Sequence, residues 1–169
     1  RQRQMCIRDS TITYPNFLNT IIDKIHSLGK KAVVWNPING VDIHHYNVDM
    51  AQMWSTRGKL VQGIPNIDCR YNYTNHFDVF ADLVGIYKSS IYYSARGNAE
   101  IAGTISCPWN DRKLATQDDI VVQNNFYANA LASAERGWIG GGKAYIEKGG
   151  VMLPSSGEEY EEFADWERR

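Results

Sequence analysis

The chain has 169 residues, a formal net charge of -1, 43% hydrophobic and 22% charged residues, an ordinary globular composition for one domain or part of one. That balance lacks the positive excess that attracts nucleic acid, and no apolar run approaches the length of a membrane span. The three cysteines, Cys6, Cys69 and Cys107, have neither metal-ligand nor CxxC spacing and outline no disulfide framework.

Residues 1–10, RQRQMCIRDS, have no apolar periodicity and no signal-peptide h-region. They resemble a translated sequencing-adaptor remnant, and a non-native segment is expected there. Pro15 then opens a helix with Phe17, Ile21, Ile25 and Leu28 at helical spacing on one face, and Gly29 closes it. AVVW at 32–35 reads as a buried strand, MAQMW at 50–54 as a second, and IPNIDCRY at 64–71 contains a third. A helix over about 77–87 would turn Phe80, Leu83, Val84 and Tyr87 inward, and EIAGTISC at 100–107 gives a fourth strand. Thr116 and Asp119 have capping-box spacing, and one long helix is expected from there to about Trp138, with Ile120, Tyr127, Leu131, Ala134 and Trp138 inside. The sequence ends at Arg169 within a helical pattern that has no breaker, so truncation is expected at both ends.

Strands alternating with helical segments at these spacings predict an α/β fold with a parallel sheet and right-handed crossovers. In such a sheet every strand ends on the same side, and that is the side where ligands bind. Trp35 and Trp54 close the first two strands, YNYTN at 71–75 follows the third, and in ISCPWND Pro108 stops pairing before Trp109. The expectation is an aromatic rim, drawn from distant parts of the chain and suited to stacking on a flat, hydroxyl-bearing ligand.

GKKAVVWN at 29–36, MAQMW at 50–54, YTN at 73–75, GTISCPWND at 103–111 and ALASAERGW at 130–138 occur in that order. Together they resemble the second half of the catalytic barrel of family 20 glycoside hydrolases, the β-N-acetylhexosaminidases, over about residues 16–140. The resemblance implies a partial (β/α)8 TIM barrel, about strands five to eight with their helices, within residues 11–169. It implies an enzyme that removes terminal N-acetylhexosamine from glycans, periplasmic or secreted, with no cofactor and a glycan as its partner. Trp35, Trp54 and Trp109 match the indoles that wall the acetamido pocket, and Tyr73 matches the tyrosine that hydrogen-bonds the acetamido oxygen, with Tyr71 as the alternative. Asn75 and Asp111 match positions that hold sugar hydroxyls, where the family usually has Asp and Glu. An amide donates as well as accepts, and the shorter carboxylate reaches less far, so the choice of sugar epimer is left open.

In this family the substrate's own acetamido oxygen is the nucleophile, one of the exceptions to the two-carboxylate scheme. An amide oxygen is a weak nucleophile, so an aromatic box and one phenol act mainly by positioning it. An adjacent Asp-Glu pair supplies the general acid and the carboxylate that orients the amide. These 169 residues contain no Asp-Glu dipeptide, so the chain alone is expected to be inactive, with the acid pair upstream of it. A carbohydrate-binding barrel without catalysis, or another substrate-assisted glycosidase family, fits the same rim.

The remaining polar features read as structural. His44 and His45, with Asp42 and Asp49 nearby, are expected to be surface loop residues rather than metal ligands. His76 and Asp78 flank the YTN motif as supports or helix caps, and Glu135 with Arg136 are expected to pair and tie helix to barrel. Glu158-Glu159 and Glu161-Glu162 fall after Ser155 and Ser156 on a charged helix, as capping partners. GWIGGGKAY at 137–145 follows a helix instead of opening one, which does not suit a phosphate cradle.

Overall fold

The computed structural model describes residues 14–38, 42–74, 79–89, 100–109, 115–123, 125–139 and 153–169. Asn75, His76, Asp78 and Asp111, and the glycine-rich stretch from 140 on, lie outside the described residues, as do residues 1–10. In chain order come α1 (Tyr14–Ser27), β1 (Val33–Asn36), a 3-10 turn (Ile43–His45), β2 (Met50–Met53), β3 (Asn66–Asp68), α2 (Val79–Lys88), β4 (Ile101–Gly103), α3 (Asp119–Gln123), α4 (Phe126–Ile139) and α5 (Glu158–Arg168). The four strands form one all-parallel sheet in the order β1-β2-β3-β4, so the chain is mixed α/β with each strand laid beside the one before it.

Register divides the sheet into two faces. Val34 pairs with Ala51 and Ala51 with Asn66, whereas Trp35 pairs with Gln52 and Gln52 with Ile67. Paired residues of parallel strands share a face, and alternate residues oppose one another. The first set packs beneath α1, where Ile22, Ala32, Ile43, Val48, Ala51 and Val61 make a closed apolar cluster with Leu18, Ile25 and Val34 against it. The second set is more open, since Val33 and Trp35 are each 53% exposed and Gln52 and Ile67 are half-buried. β1 therefore has one bare face and stands first in the sheet of the described residues, in place of the buried strand that its apolar run suggests.

α1 ends as expected in a Schellman motif, with Gly29 at φ 66° and bonds from Gly29 N–H to the His26 carbonyl and from Lys30 N–H to the Ile25 carbonyl. Its buried stripe, however, is Leu18, Ile22 and Ile25, while Phe17, Ile21 and Leu28 face outward. At the far end of α1, His26 Nε2 meets Asp49 Oδ2 at 2.8 Å, and the same oxygen accepts from Ala32 N–H at 2.7 Å. Those bonds, the Ala32 one foremost, hold the Asp49 carboxyl below its ordinary 3.8. A carboxyl depressed in the folded state stabilises the fold above its unfolded pKa and loses that contribution as pH falls through the folded value. The melting temperature is expected to drop as pH is lowered from 3.8, and Asp49→Asn, melted over the same pH series, should lack that part of the slope.

A second cluster joins α2, α4 and α5 through Leu83, Val84, Ile86, Tyr87, Ala132 and Phe163. Tyr87 is central, with its ring 5.1 Å from Phe163 and 4.8 Å from Trp166, and burial raises its hydroxyl above the usual range. Glu159 bridges to the buried Lys88 ammonium at 2.5 Å, so this glutamate anchors α5 rather than capping it. The N-cap of α5 is Gly157 and has no side-chain cap bond, in place of the serine caps expected.

The long helix expected to reach Trp138 is two helices. Asn125, at φ 45°, separates α3 from α4. Asp119 Oδ2 does accept the Thr116 N–H at 2.9 Å, one half of the capping box. The buried stripe of α4 is Asn129, Ala132, Ser133 and Arg136, while Tyr127, Leu131 and Trp138 are 71%, 65% and 90% exposed. Arg136 lies 4.4 Å over the Tyr87 ring and makes no hydrogen bond among the described residues, so the expected pairing with Glu135 is not formed. Consecutive helical residues point about 100° apart, which sends the two side chains in different directions.

Candidate aromatic site

The ends of the four strands converge. Trp35 and Trp54 have ring centroids 6.3 Å apart, Trp54 and Tyr73 6.3 Å, and Tyr73 and Trp109 6.4 Å with planes tilted by only 7°. Residues spread over 75 positions of sequence thus form one continuous row along the C-terminal edge of the sheet. Trp35 and Trp109, at its ends, are 53% and 45% exposed, and Trp54 and Tyr73 between them are half-buried. Exposed indoles held in a row are an incomplete apolar surface that a flat ligand would cover.

Each ring is fixed locally. Trp54 Nε1 donates to the Pro37 carbonyl at 2.8 Å, and Trp54 N–H bonds the Asn36 carbonyl, which ties the end of β2 to the end of β1. The chain then turns back at Ser55–Gly58, where a side chain at Gly58 would bring its Cβ within 2.9 Å of Met53 Cβ. Tyr73 sits on a resumed pairing between the third and fourth strand segments. Ala102 is an extra residue between Ile101, paired with Asn66, and Gly103, paired with Ile67. Beyond this bulge, Cys107 N–H bonds the Asn72 carbonyl at 2.7 Å and Thr74 N–H bonds the Cys107 carbonyl at 3.1 Å. Asn72 Nδ2 also donates to Thr104 Oγ1 at 2.6 Å, and Ser133 Oγ of α4 donates to Asn72 Oδ1 at 3.4 Å.

Beneath Tyr73 lies a polar cluster that the motifs alone did not single out. Gln52 Nε2 donates to the Tyr73 hydroxyl at 3.3 Å and to Cys69 Sγ at 3.5 Å. Burial raises the Tyr73 hydroxyl above the ordinary tyrosine range, reinforced by the neighbouring Cys107 thiol. The Tyr73 phenol therefore stays protonated at neutral pH and keeps a proton to donate. Period-two counting back from Trp54 puts Gln52 on the same face, which is the one sequence signal that could have found it.

Asp68 and Arg70 support the segment that carries Tyr73. Arg70 Nε and Nη2 contact Asp68 Oδ1 and Oδ2 at 2.9 and 3.0 Å, with both side chains at least 95% buried, and the Arg70 N–H also bonds Asp68 Oδ1. Tyr71 turns toward Arg70, whose guanidinium lies 5.7 Å over its ring, so the row runs through Tyr73 and not through the alternative.

Away from the row, Asp42 caps the 3-10 turn through the His44 N–H at 3.1 Å and also meets His44 Nδ1 at 3.0 Å. Both histidines are exposed, and among the described residues no group of three His, Cys, Asp or Glu is placed to share a metal ion. Nor, among them, is any helix long and apolar enough to cross a membrane. A cavity of about 630 Å³ lined by Leu131, Trp138 and Trp166 belongs to the helix layer and borders none of the four rings of the row. Comparison with protein-family models, curated proteins and solved structures finds no match to this chain.

Proposed function

We propose that the chain forms the C-terminal half of the (β/α)8 barrel of a family 20 β-N-acetylhexosaminidase and that its aromatic row is the wall on which an N-acetyl sugar lies. The observation that carries this reading is the continuity of Trp35, Trp54, Tyr73 and Trp109, four rings from four strand ends at steps of 6.3 to 6.4 Å. The barrel itself is supported by consecutive parallel strand order together with a sheet that has one helix-covered face and one half-open face. Parallel sheets are normally covered on both faces, and closure into a barrel covers the second with the sheet's own opposite wall.

On this reading the indoles exclude water around the acetamido methyl while Tyr73 holds the amide oxygen in line with the anomeric carbon. Gln52 donates to the phenol oxygen, which leaves the phenol proton free to be aimed at the substrate oxygen. Positioning of this kind is worth several orders of magnitude in rate when the geometry is right. Protonation of the leaving oxygen requires an acid pair from outside these 169 residues.

The expected result is that the chain alone binds N-acetylglucosamine or N-acetylgalactosamine in preference to glucose by titration calorimetry, and does not turn over an aryl N-acetylglucosaminide. Equal affinity for glucose would remove the acetamido pocket from the account. Turnover would show that the acid lies within the chain.

A further inference from the structure

α5 packs on α2 and α4 through Phe163 and leaves a trough beside it. The cavity of about 630 Å³ in the helix layer is walled by Leu83, Ala128, Leu131, Ala134, Trp138 and Trp166. A second hollow, of about 570 Å³, is walled by Glu135, Glu158, Glu161, Glu162 and Asp165. The two share Glu135, Trp166 and Arg169, so they form one trough with an apolar end and an acidic end.

The apolar end has the form of a seat for a helix. Ala128, Leu131, Ala134 and Trp138 follow one another at steps of three and four along one side of α4, over about 15 Å of its axis. Ala128 and Ala134 contribute little bulk, whereas Leu131 and Trp138 are 65% and 90% exposed. Single exposed apolar side chains are ordinary, but a contiguous stripe on a concave surface marks a place where another molecule docks. The acidic end selects the charge of that molecule. α5, EEYEEFADWER, carries six carboxylates and one arginine. Glu159 is engaged by Lys88, and Asp165 by Arg168. Among the described residues Glu135, Glu161, Glu162 and Glu167 form no ion pair, and Arg136, next to Glu135, is turned inward over Tyr87. Arg169 is the only cation among the described residues that line the trough.

We propose that this trough is a docking site for a cationic amphipathic helix of a partner protein, its apolar stripe laid along α4 from Ala128 to Trp138 and its Lys or Arg side chains on the carboxylates of α5. Recognition is then of the helix-in-groove kind, with partner residues at i, i+3, i+4 and i+7 as anchors. Uncompensated carboxylates repel polyanions, so nucleic acid or an anionic bilayer is a poor fit. The proposal does not rest on the ligand assigned to the aromatic row, since none of its four rings borders either hollow.

The test titrates the full chain, by fluorescence anisotropy, with a labelled peptide of leucine and lysine in amphipathic helical pattern, about four turns long, and with its leucine–glutamate counterpart. The lysine peptide is expected to bind about 10-fold tighter than the glutamate peptide or better, and to lose affinity as salt is raised. Leu131→Asp, at an exposed position, should weaken the lysine peptide about 10-fold with the circular dichroism unchanged. Glu161→Lys should weaken it about 5-fold, while Asp23→Lys, the same charge change at an exposed site on α1, should leave it unchanged. Equal affinity for the two peptides, an unchanged Kd in Leu131→Asp, or an equal loss in Asp23→Lys would overturn the proposal. So would sedimentation that shows a dimer dissociated by Leu131→Asp, since the trough would then belong to a second copy of the chain.

Discussion

Asp68→Ala is expected to destabilise the fold by about 3–5 kcal/mol, because it removes the two-point carboxylate contact to an Arg70 guanidinium that is 2% exposed. Breaking a buried pair on one side is costly, since water does not replace the contact that the remaining charge has lost. Against a typical domain stability of about 5–15 kcal/mol, such a loss removes much of the margin. Urea unfolding followed by circular dichroism measures it. Replacing both members, Asp68→Leu with Arg70→Met, should recover a large part of the loss, because neither charge of the pair then stays buried. A change below about 1 kcal/mol in the single variant would mean that solvent reaches the pair. Since Cys69–Thr74 run directly from this pair to the bridge with Cys107, the loss of structure should be accompanied by loss of the Tyr73 presentation.

Trp54→Ala is expected to weaken binding of an N-acetyl sugar by about 10-fold or more, the effect of removing a central aromatic anchor worth roughly 2 kcal/mol. Trp54 touches both Trp35 and Tyr73, so its loss breaks the row in the middle. Trp138→Ala provides the contrast: that indole is 90% exposed on α4 and belongs to the helix layer, and its removal should leave the affinity unchanged. Titration calorimetry on both variants, with folding checked by circular dichroism, separates a specific row from general indole stickiness. Equal losses in the two variants would count against the row.

Much of the architecture was legible in the sequence because glycine and proline punctuate it: Pro15 and Gly29 bound α1, and Pro108 stops pairing ahead of Trp109. The aromatic row was legible for a topological reason, since parallel strands all end on one side and the order of motifs implied neighbouring strands. Helix faces were not. In α1 and α4 the bulkiest apolar residues, such as Phe17 and Trp138, point outward, and the inner stripe of α4 uses Asn129, Ala132, Ser133 and Arg136, small or polar groups that apolar periodicity passes over. The break at Asn125 depends on one residue adopting positive φ, for which asparagine is tolerant but not obligatory. Long-range polar links such as Lys88 to Glu159, or Gln52 to Tyr73 and Cys69, join residues whose spacing carries no local signature.

Saturation-transfer NMR on the methyl glycoside of N-acetylglucosamine, with irradiation of the aromatic protons of the chain, tests the central claim most directly. The account predicts that the acetamido methyl receives the strongest transfer, and that Trp54→Ala abolishes it while Trp138→Ala does not. Transfer spread evenly over the sugar ring, or a methyl signal that survives Trp54→Ala, would contradict it.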